Sequence, residues 1–287
     1  MERFYIVTNR AKDKKWYYTD KVRDYLVGKG LTCITMKETG GVSGDLKVPE
    51  RIDCVIVLGG DGTLLQTARE VNALRIPLIG INLGTLGYLT DIEKNRIEPA
   101  LDKLIEGDYT IEHRMMLYGK VFRGSKVLAT DTALNDIVIS RDGYPKIINL
   151  ENYVGSTLLN RYSADGVIVS TATGSTGYSL SAGGPIISPE AELFLLTPLA
   201  SQSLINRSVI LPDDEVITVR LGNDKYGGIS QATVVFDGDT RIHIESGDEV
   251  RIRKSRADTL TVKISEMTFL DVLAQKLNPM GASEVNR

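Results

Sequence analysis

The hydrophobic period of this 287-residue chain changes once, near Tyr109, and that change limits what it can fold into. Before it, strand-like and helix-like stretches alternate. "RFYIVTN" reads as a strand, and residues 16–29 as an amphipathic helix with Val22, Tyr25 and Leu26 on one side and Gly30 as its stop. "LTCITM" is a second strand, followed by an "ETGGVSGD" loop. "DCVIVLGG" is a strand apolar on both faces, residues 63–74 a helix, "IPLIGIN" a further strand, and "EPALDKLIEGDY" a closing helix. This alternation predicts a parallel sheet covered by helices. From Tyr109 to about residue 265 come short runs rich in Val, Ile, Thr and Tyr, among them "LYGKVF", "DGVIVST", "VITVRL" and "TLTVKIS", separated by turn residues. They predict an antiparallel sandwich or barrel. "FLDVLAQKL" then returns to helical spacing through Leu270, Leu273 and Leu277, and the tail "NPMGASEVNR" is expected to fray. The expected division is an α/β domain over 1–108, a β domain over 109–265 and a C-terminal segment over 266–287.

Composition excludes several classes. A formal charge of −3 leaves no footprint for nucleic acid or an anionic membrane. No apolar run approaches the roughly 20 residues of a membrane helix. "MERFYIVTNR" turns polar too quickly for a signal peptide, so a cytoplasmic protein is expected. Cys33 and Cys54 lie in strand-like runs without metal or redox spacing and read as buried thiols. His113 and His243 read as structural or surface residues, and no Cys/His cluster suggests zinc, so no metal ligands are assigned. Acid–base chemistry would fall to carboxylates.

Three stretches carry chemistry. "VIVLGGDGTLL", residues 55–65, is a strand–glycine turn–helix, the usual frame for phosphate groups, yet it carries the acid Asp61. Two readings stand at this point. Asp61 caps the helix, or it serves phosphoryl transfer by binding Mg²⁺ or taking a proton from the attacking hydroxyl. The turn has no P-loop lysine and lacks the third glycine of the dinucleotide fingerprint. "SADGVIVSTATGSTGYSLSAGGP", residues 163–185, runs a strand into hydroxyls, glycines and Tyr178, a set suited to ribose, phosphate and a base. The run "SLSAGGP" looks tightly packed. "TALNDIVIS" puts Asn135 and Asp136 in a strand, where neighbours face opposite ways, so the pair sits at an irregular end or one member is exposed.

"GGDGT", "ALND" and "STATGSTGYSLSAGGP", in this order, resemble the three signature motifs of the NAD kinase family, and "INLGTLGYLTD", residues 81–91, resembles a fourth. The similarity covers essentially the whole chain. It implies a Rossmann-like α/β N-terminal domain, an all-β sandwich C-terminal domain, and a last segment that returns to the first. It implies transfer of the terminal phosphoryl group of ATP, or of polyphosphate, to the 2′-hydroxyl of the adenosine ribose of NAD. Mg²⁺ or another divalent cation would be carried with ATP, and the protein would be a homodimer or homotetramer. By the resemblance, Asp61 is the general base and Gly62 approaches the substrate. Asn135 and Asp136 contact the adenine and ribose, and Asp165 binds near the nicotinamide. Thr176, Gly177, Tyr178 and Ser181 line the NAD site, with Lys146 as a basic residue near it. The chain departs from the family's usual pattern at Ala172 (commonly Pro), Gly177 (Ala), Ser163 (basic), Gln202 (His) and Asp239 (Gln). Two alternatives are a lipid kinase sharing the "GGDGT" turn and a dinucleotide sensor without catalysis.

Overall fold

The computed structural model describes residues 1–84, 87–143, 146–202 and 206–278. They form two units, Met1–Glu112 joined by the chain from Leu260 onward, and His113–Thr259. Of the tail expected to fray, only Asn278 lies within the described residues.

The first unit contains β1 (Arg3–Thr8), α1 (Tyr17–Gly28), β2 (Thr32–Thr35), α2 (Met36–Thr39), β3 (Cys54–Gly59), α3 (Asp61–Val71), β4 (Leu78–Asn82), β5 (Ile92–Glu93), α4 (Ile97–Glu106) and β6 (Thr110–Arg114). β3 and β4 are buried along their whole length, which is why their sequences are apolar at consecutive positions, up to Asn82 at the end of β4, rather than at alternate ones. They pair in parallel, with Ile56 opposite Ile79, and β1 pairs in parallel on the other side, with Tyr5 opposite Val55. Phe4, Ile6, Ile56, Leu58 and Ile79 form one core with Val22 and Leu26 of α1 and Leu101 and Leu104 of α4. Gly30, in the left-handed region at φ 82°, follows α1 as its expected stop.

The sheet runs β2-β1-β3-β4, so the chain steps outward from β1 to β2 and then returns to the other side of β1. That reversal is a topological switch point, and open α/β sheets bind ligands beyond the strand ends there. Asn9 and Asp61 stand just past the carboxyl ends of β1 and β3.

The second unit is built from β7 (Leu117–Arg123), β8 (Lys126–Ala133), β9 (Asp136–Arg141), β10 (Ile148–Val154), β11 (Thr157–Ala164), β12 (Gly166–Ser170), α5 (Tyr178–Ser181), β13 (Leu193–Leu199), β14 (Val209–Pro212), β15 (Ile217–Leu221), β16 (Gln231–Phe236), β17 (Thr240–Glu245) and β18 (Glu249–Lys254). Two six-stranded sheets result, β11-β10-β15-β18-β7-β8 and β14-β13-β12-β9-β16-β17. Leu117, Val121, Leu150 and Val250 of the first meet Ile137, Val167, Val169 and Val234 of the second in one core. This is the expected sandwich.

Two local features differ from the sequence reading. "TLTVKIS" forms β19 (Thr259–Lys263), which joins the first unit's sheet in parallel, Thr261 opposite Leu78. A five-residue β pattern does not encode which sheet it enters. α2 occupies what reads as a loop start, held by a capping box between Thr35 and Glu38. The helix expected at "FLDVLAQKL" forms as α6 (Phe269–Leu277), in which Leu270 and Leu277 are 69% and 63% exposed and Leu273 is half-buried.

Candidate active site

The glycine turn is shaped by close packing. A Cβ on Gly59 would stand 2.4 Å from the Thr63 Oγ1, so only glycine fits. Asn9 Nδ2 donates to that same Oγ1 at 3.0 Å, tying the end of β1 to the first turn of α3, and Asn9 N donates to the Leu58 carbonyl of β3 at 2.8 Å. Gly60 is the N-cap of α3 and Asp61 its first residue, and the helix has no side-chain cap. The capping reading of Asp61 therefore fails. Its carboxylate instead accepts the backbone N–H of Tyr88 at 2.7 Å and of Leu89 at 3.2 Å. A Cβ on Gly87 would lie 1.8 Å from Asp61 Oδ1, so the neighbouring stretch also needs its glycine. Two of the sequence motifs thus meet at one carboxylate. Beside it opens a pocket of about 430 Å³ lined by Asn9, Arg10, Lys12, Gly60, Asp61 and Gly62. A Cβ on Gly62 would meet nothing within 4 Å.

The chain after Tyr88 is anchored by Asp91, a 6% exposed carboxylate that accepts the N–H groups of Ile264 and Ser265 and binds the Lys263 ammonium. Burial alone would raise its pKa, but Lys263, the Ser265 hydroxyl and those N–H groups outweigh burial and hold it below the usual carboxylate range. A larger pocket, about 660 Å³, lies beside Asp91, Arg96 and Ser265. It holds no glycine turn, and its buried carboxylate is already satisfied.

The second unit brings together "ALND" and the threonine–glycine stretch. β12 pairs with β9, Ser170 opposite Asp136, so the chain leaving β12 passes Asn135. Thr171 donates its N–H to the Asn135 carbonyl at 2.9 Å and its hydroxyl to the Leu134 carbonyl at 2.6 Å. A Cβ on Gly174 would come within 2.1 Å of the Asn135 carbonyl oxygen, so this crossing requires glycine. A Cβ on Gly177 would sit 3.3 Å from Asn135 Nδ2, so the family's alanine fits only after a shift of a few tenths of an ångström. Thr176 donates to the Thr173 carbonyl at 3.3 Å. Tyr178 is 50% exposed, and the exposed Ser181 closes α5. The "SLSAGGP" run is not packed throughout as its small residues suggested: Ser179 and Gly184 are buried, Ser179 sharing a hydroxyl chain with Thr197 and Ser208 and Gly184 leaving no room for a Cβ, while Leu180, Ser181, Gly183 and Pro185 are exposed.

Asn135 and Asp136 sit at the irregular start of β9, which settles the strand-parity question. Burial, with the Asp237 carboxylate as the second cause, pushes the Asp136 carboxyl up to about 7. The buried Asn135 Oδ1, Ser170 Oγ and Thr173 Oγ1 have no partner among the described residues. Unpaired buried polar atoms are costly and call for a ligand or water.

Asp165 and Lys146 do not join this cluster. Asp165 precedes β12 while Thr171 follows it, a separation of roughly 20 Å at about 3.4 Å per residue. Asp165 is ion-paired with Arg141 at 2.7 Å. Lys146 pairs with Asp224 at 2.6 Å, and with the Tyr226 and Gly228 N–H groups it holds Asp224 down to about 2.

Asp237 is the residue the motifs did not disclose. Its carboxylate accepts the N–H groups of Leu134, Asn135 and Asp136 at 2.7, 2.8 and 3.0 Å, from a backbone in the left-handed region at φ 46°. Its only sequence signal is the Asp-Gly pair of a hairpin turn. Cysteine chemistry is remote from both groups. Burial pushes the Cys33 thiol up to about 12 and raises Cys54 further. Among the described residues no group of three or more His, Cys, Asp or Glu could hold a metal ion.

Comparison with known proteins agrees with this layout. Residues 41–109 match the ATP-NAD kinase N-terminal domain and residues 134–264 the ATP-NAD kinase C-terminal domain. The NAD kinase of Lachnospira eligens is 44% identical over 96% of this chain and 100% of its own length. That of Lachnoclostridium phytofermentans is 37% identical over 96% and 99%. Among solved structures, yeast NADH kinase complexed with NADH has a TM-score of 0.82 at 25% identity, covering 100% of this chain and 89% of its own. An NAD kinase from Archaeoglobus fulgidus in complex with ATP has 0.76 at 26% identity, covering 97% and 100%. The chain belongs to the NAD kinase family.

Proposed function

We propose that this NAD kinase uses Asp61 as the general base for phosphoryl transfer to the 2′-hydroxyl of the adenosine ribose of NAD. The observation that carries the assignment is the state of the Asp61 carboxylate. It is not spent on capping its own helix, and the Tyr88 and Leu89 backbone N–H groups fix it at the first position of α3, next to Gly62, whose Cβ direction is open. The ribose hydroxyl is a weak nucleophile. As its oxygen bonds to the terminal phosphorus of ATP, the bond to the bridging oxygen breaks and ADP leaves. The hydroxyl proton passes to Asp61. A positioned carboxylate contributes roughly 10²–10⁴ in rate.

The unpaired Asn135 Oδ1 and Thr173 Oγ1 suit the polar edge of adenine and the ribose, with Asp136 beside them. Gly177, Thr176, Tyr178 and Ser181 would line the same substrate, Tyr178 offering its exposed ring to the base. Asp165 and Lys146 would serve more distant parts of NAD. Mg²⁺ typically takes one or two carboxylates together with substrate phosphates. A turn with one carboxylate fits that donor set, so the cation would arrive with the triphosphate and offset its charge near Asp61. ATP as donor is supported by the ATP-bound Archaeoglobus structure, and a choice between NAD and NADH is raised by the yeast one. A cytoplasmic homodimer or homotetramer completes the proposal, supported by the family resemblance and by unpaired Cys33 and Cys54.

The test is direct. The purified protein is incubated with Mg²⁺ and NAD or NADH, with ATP or polyphosphate, and product is read with an NADP-specific dehydrogenase. NADP formed with ATP supports the reading. NAD binding without product would mean a sensor, and phosphorylation of diacylglycerol instead would mean a lipid kinase.

A further inference from the structure

The loop that holds Asp61 is itself held by the far end of the chain. Tyr88, whose N–H reaches the Asp61 carboxylate, turns its ring toward α6. The Tyr88 and Phe269 rings lie 6.1 Å apart between centroids, tilted by 41°. The Lys276 Nζ lies 4.5 Å from the Tyr88 ring centroid, on its face. Three residues beyond Tyr88, Asp91 binds Lys263, Ile264 and Ser265, the segment that leads into α6. The stretch Gly87–Asp91 is therefore stitched to Asp61 on one side and to residues 263–276 on the other.

α6 is only partly covered, with Phe269, Val272 and Leu273 half-buried. None of its residues is buried. Its N-terminus is closed by the Thr268–Asp271 capping box, with Thr268 N donating to Asp271 at 2.8 Å and Asp271 N to Thr268 at 3.2 Å. An exposed helix of nine residues is not stable by itself. Its aromatic and cationic contacts with Tyr88 are specific, and both fall on the residue that touches the carboxylate.

We infer that α6, through Phe269 and Lys276 on the Tyr88 ring, positions the Asp61 carboxylate for phosphoryl transfer. Tyr88, Phe269 and Lys276 are positioning residues, since none of them touches the reacting atoms. The inference rests on Asp61 being the base.

The test compares steady-state kinetics of the full-length Phe269→Ala, Lys276→Met, Tyr88→Ala and Tyr88→Phe variants, with Leu270→Ala as a control on the exposed side of α6. Misplacement of a catalytic group lowers turnover, so Phe269→Ala and Tyr88→Ala are each expected to lose at least about tenfold in kcat. KM for NAD should change less than about twofold, because the residues that bind NAD lie elsewhere. Tyr88→Phe keeps the ring and should keep kcat, and Leu270→Ala should match the parent. The Tyr88→Ala/Phe269→Ala double variant should be no slower than Tyr88→Ala alone, because one contact has been removed twice. Hydrogen exchange of the Tyr88 and Leu89 amides should quicken in Phe269→Ala and not in Leu270→Ala. Wild-type kcat in Phe269→Ala with unchanged exchange would overturn the inference, as would additive losses in the double variant. Should Phe269→Ala unfold, Lys276→Met carries the same expectations of slower turnover and faster exchange. Asp61→Asn, assayed alone, separates the two ideas. Full turnover there removes the base assignment, whereas an inert Asp61→Asn beside a fully active Phe269→Ala removes only the role of α6.

Discussion

The Asp237 carboxylate accepts the Asn135 backbone N–H at 2.8 Å and shares the same oxygen with Asp136. One side chain from the β16–β17 turn therefore sets the conformation of the Asn-Asp pair. Charge-assisted bonds to backbone N–H groups are the strong kind. Asp237→Asn keeps a residue that tolerates the left-handed backbone but loses the charge and one acceptor oxygen. It is expected to cost about 1–3 kcal/mol in urea unfolding, and to raise KM for NAD more than it lowers kcat. An unchanged KM would detach Asp237 from the substrate site.

Asp136 links stability to pH. Its carboxyl titrates near 7 in the folded chain against an ordinary value of 3.8. A folded pKa above the unfolded one favours the protonated form in the fold. Stability is therefore lost as pH rises from about 4 to about 7, at about 1.4 kcal/mol per unit. Asp136→Asn carries no charge to bury. Its Tm should equal the parent's near pH 4 and exceed it at pH 8, while KM for NAD rises. A Tm difference independent of pH would contradict this.

Asp91 has the opposite sign. Its folded pKa is depressed, so its contribution is present above about 3.8 and is lost as pH falls through the lower folded value. Removing one partner of a buried pair costs roughly 3–5 kcal/mol. Lys263 keeps 26% of its side chain exposed, which places Asp91→Asn at the low end of that range. Urea unfolding at neutral pH should show the loss, and measurements below the folded pKa should show little of it.

Two glycines separate space from chemistry. A Cβ at Gly87 collides with Asp61, so Gly87→Ala must displace the carboxylate, and kcat should fall by about 10² or more with the circular dichroism spectrum preserved. A Cβ at Gly62 meets nothing, and alanine is the better helix former by roughly 0.5–1 kcal/mol. Gly62→Ala should raise Tm and still impair the enzyme, because the added methyl group occupies the space offered to substrate.

The two-part architecture was legible because hydrophobic period is a direct record of burial: continuous in β3 and β4, alternating in β7. The glycine turn and the threonine–glycine stretch were legible because close packing at Gly59 and at Gly174 admits no other residue. Less local features were not. The pairing partner of β19 depends on a sheet formed some 180 residues earlier. The use of Asp237 depends on a hairpin turn landing beneath another strand's backbone. The leucine spacing showed a helix but not its contacts: Leu270 and Leu277 are exposed, while Phe269 and Lys276 meet Tyr88. The motif that contains Asp165 also hides the length of β12, which carries that residue away from Asn135.

The central claim is that Asp61 takes the ribose proton. The measurement that tests it most directly is kcat of Asp61→Asn alongside its dissociation constant for NAD. The amide keeps the size of the side chain and cannot act as a base of comparable strength. The account predicts a fall in kcat of roughly 10²–10⁴ with NAD affinity nearly unchanged. Turnover within a few-fold of the parent would contradict it.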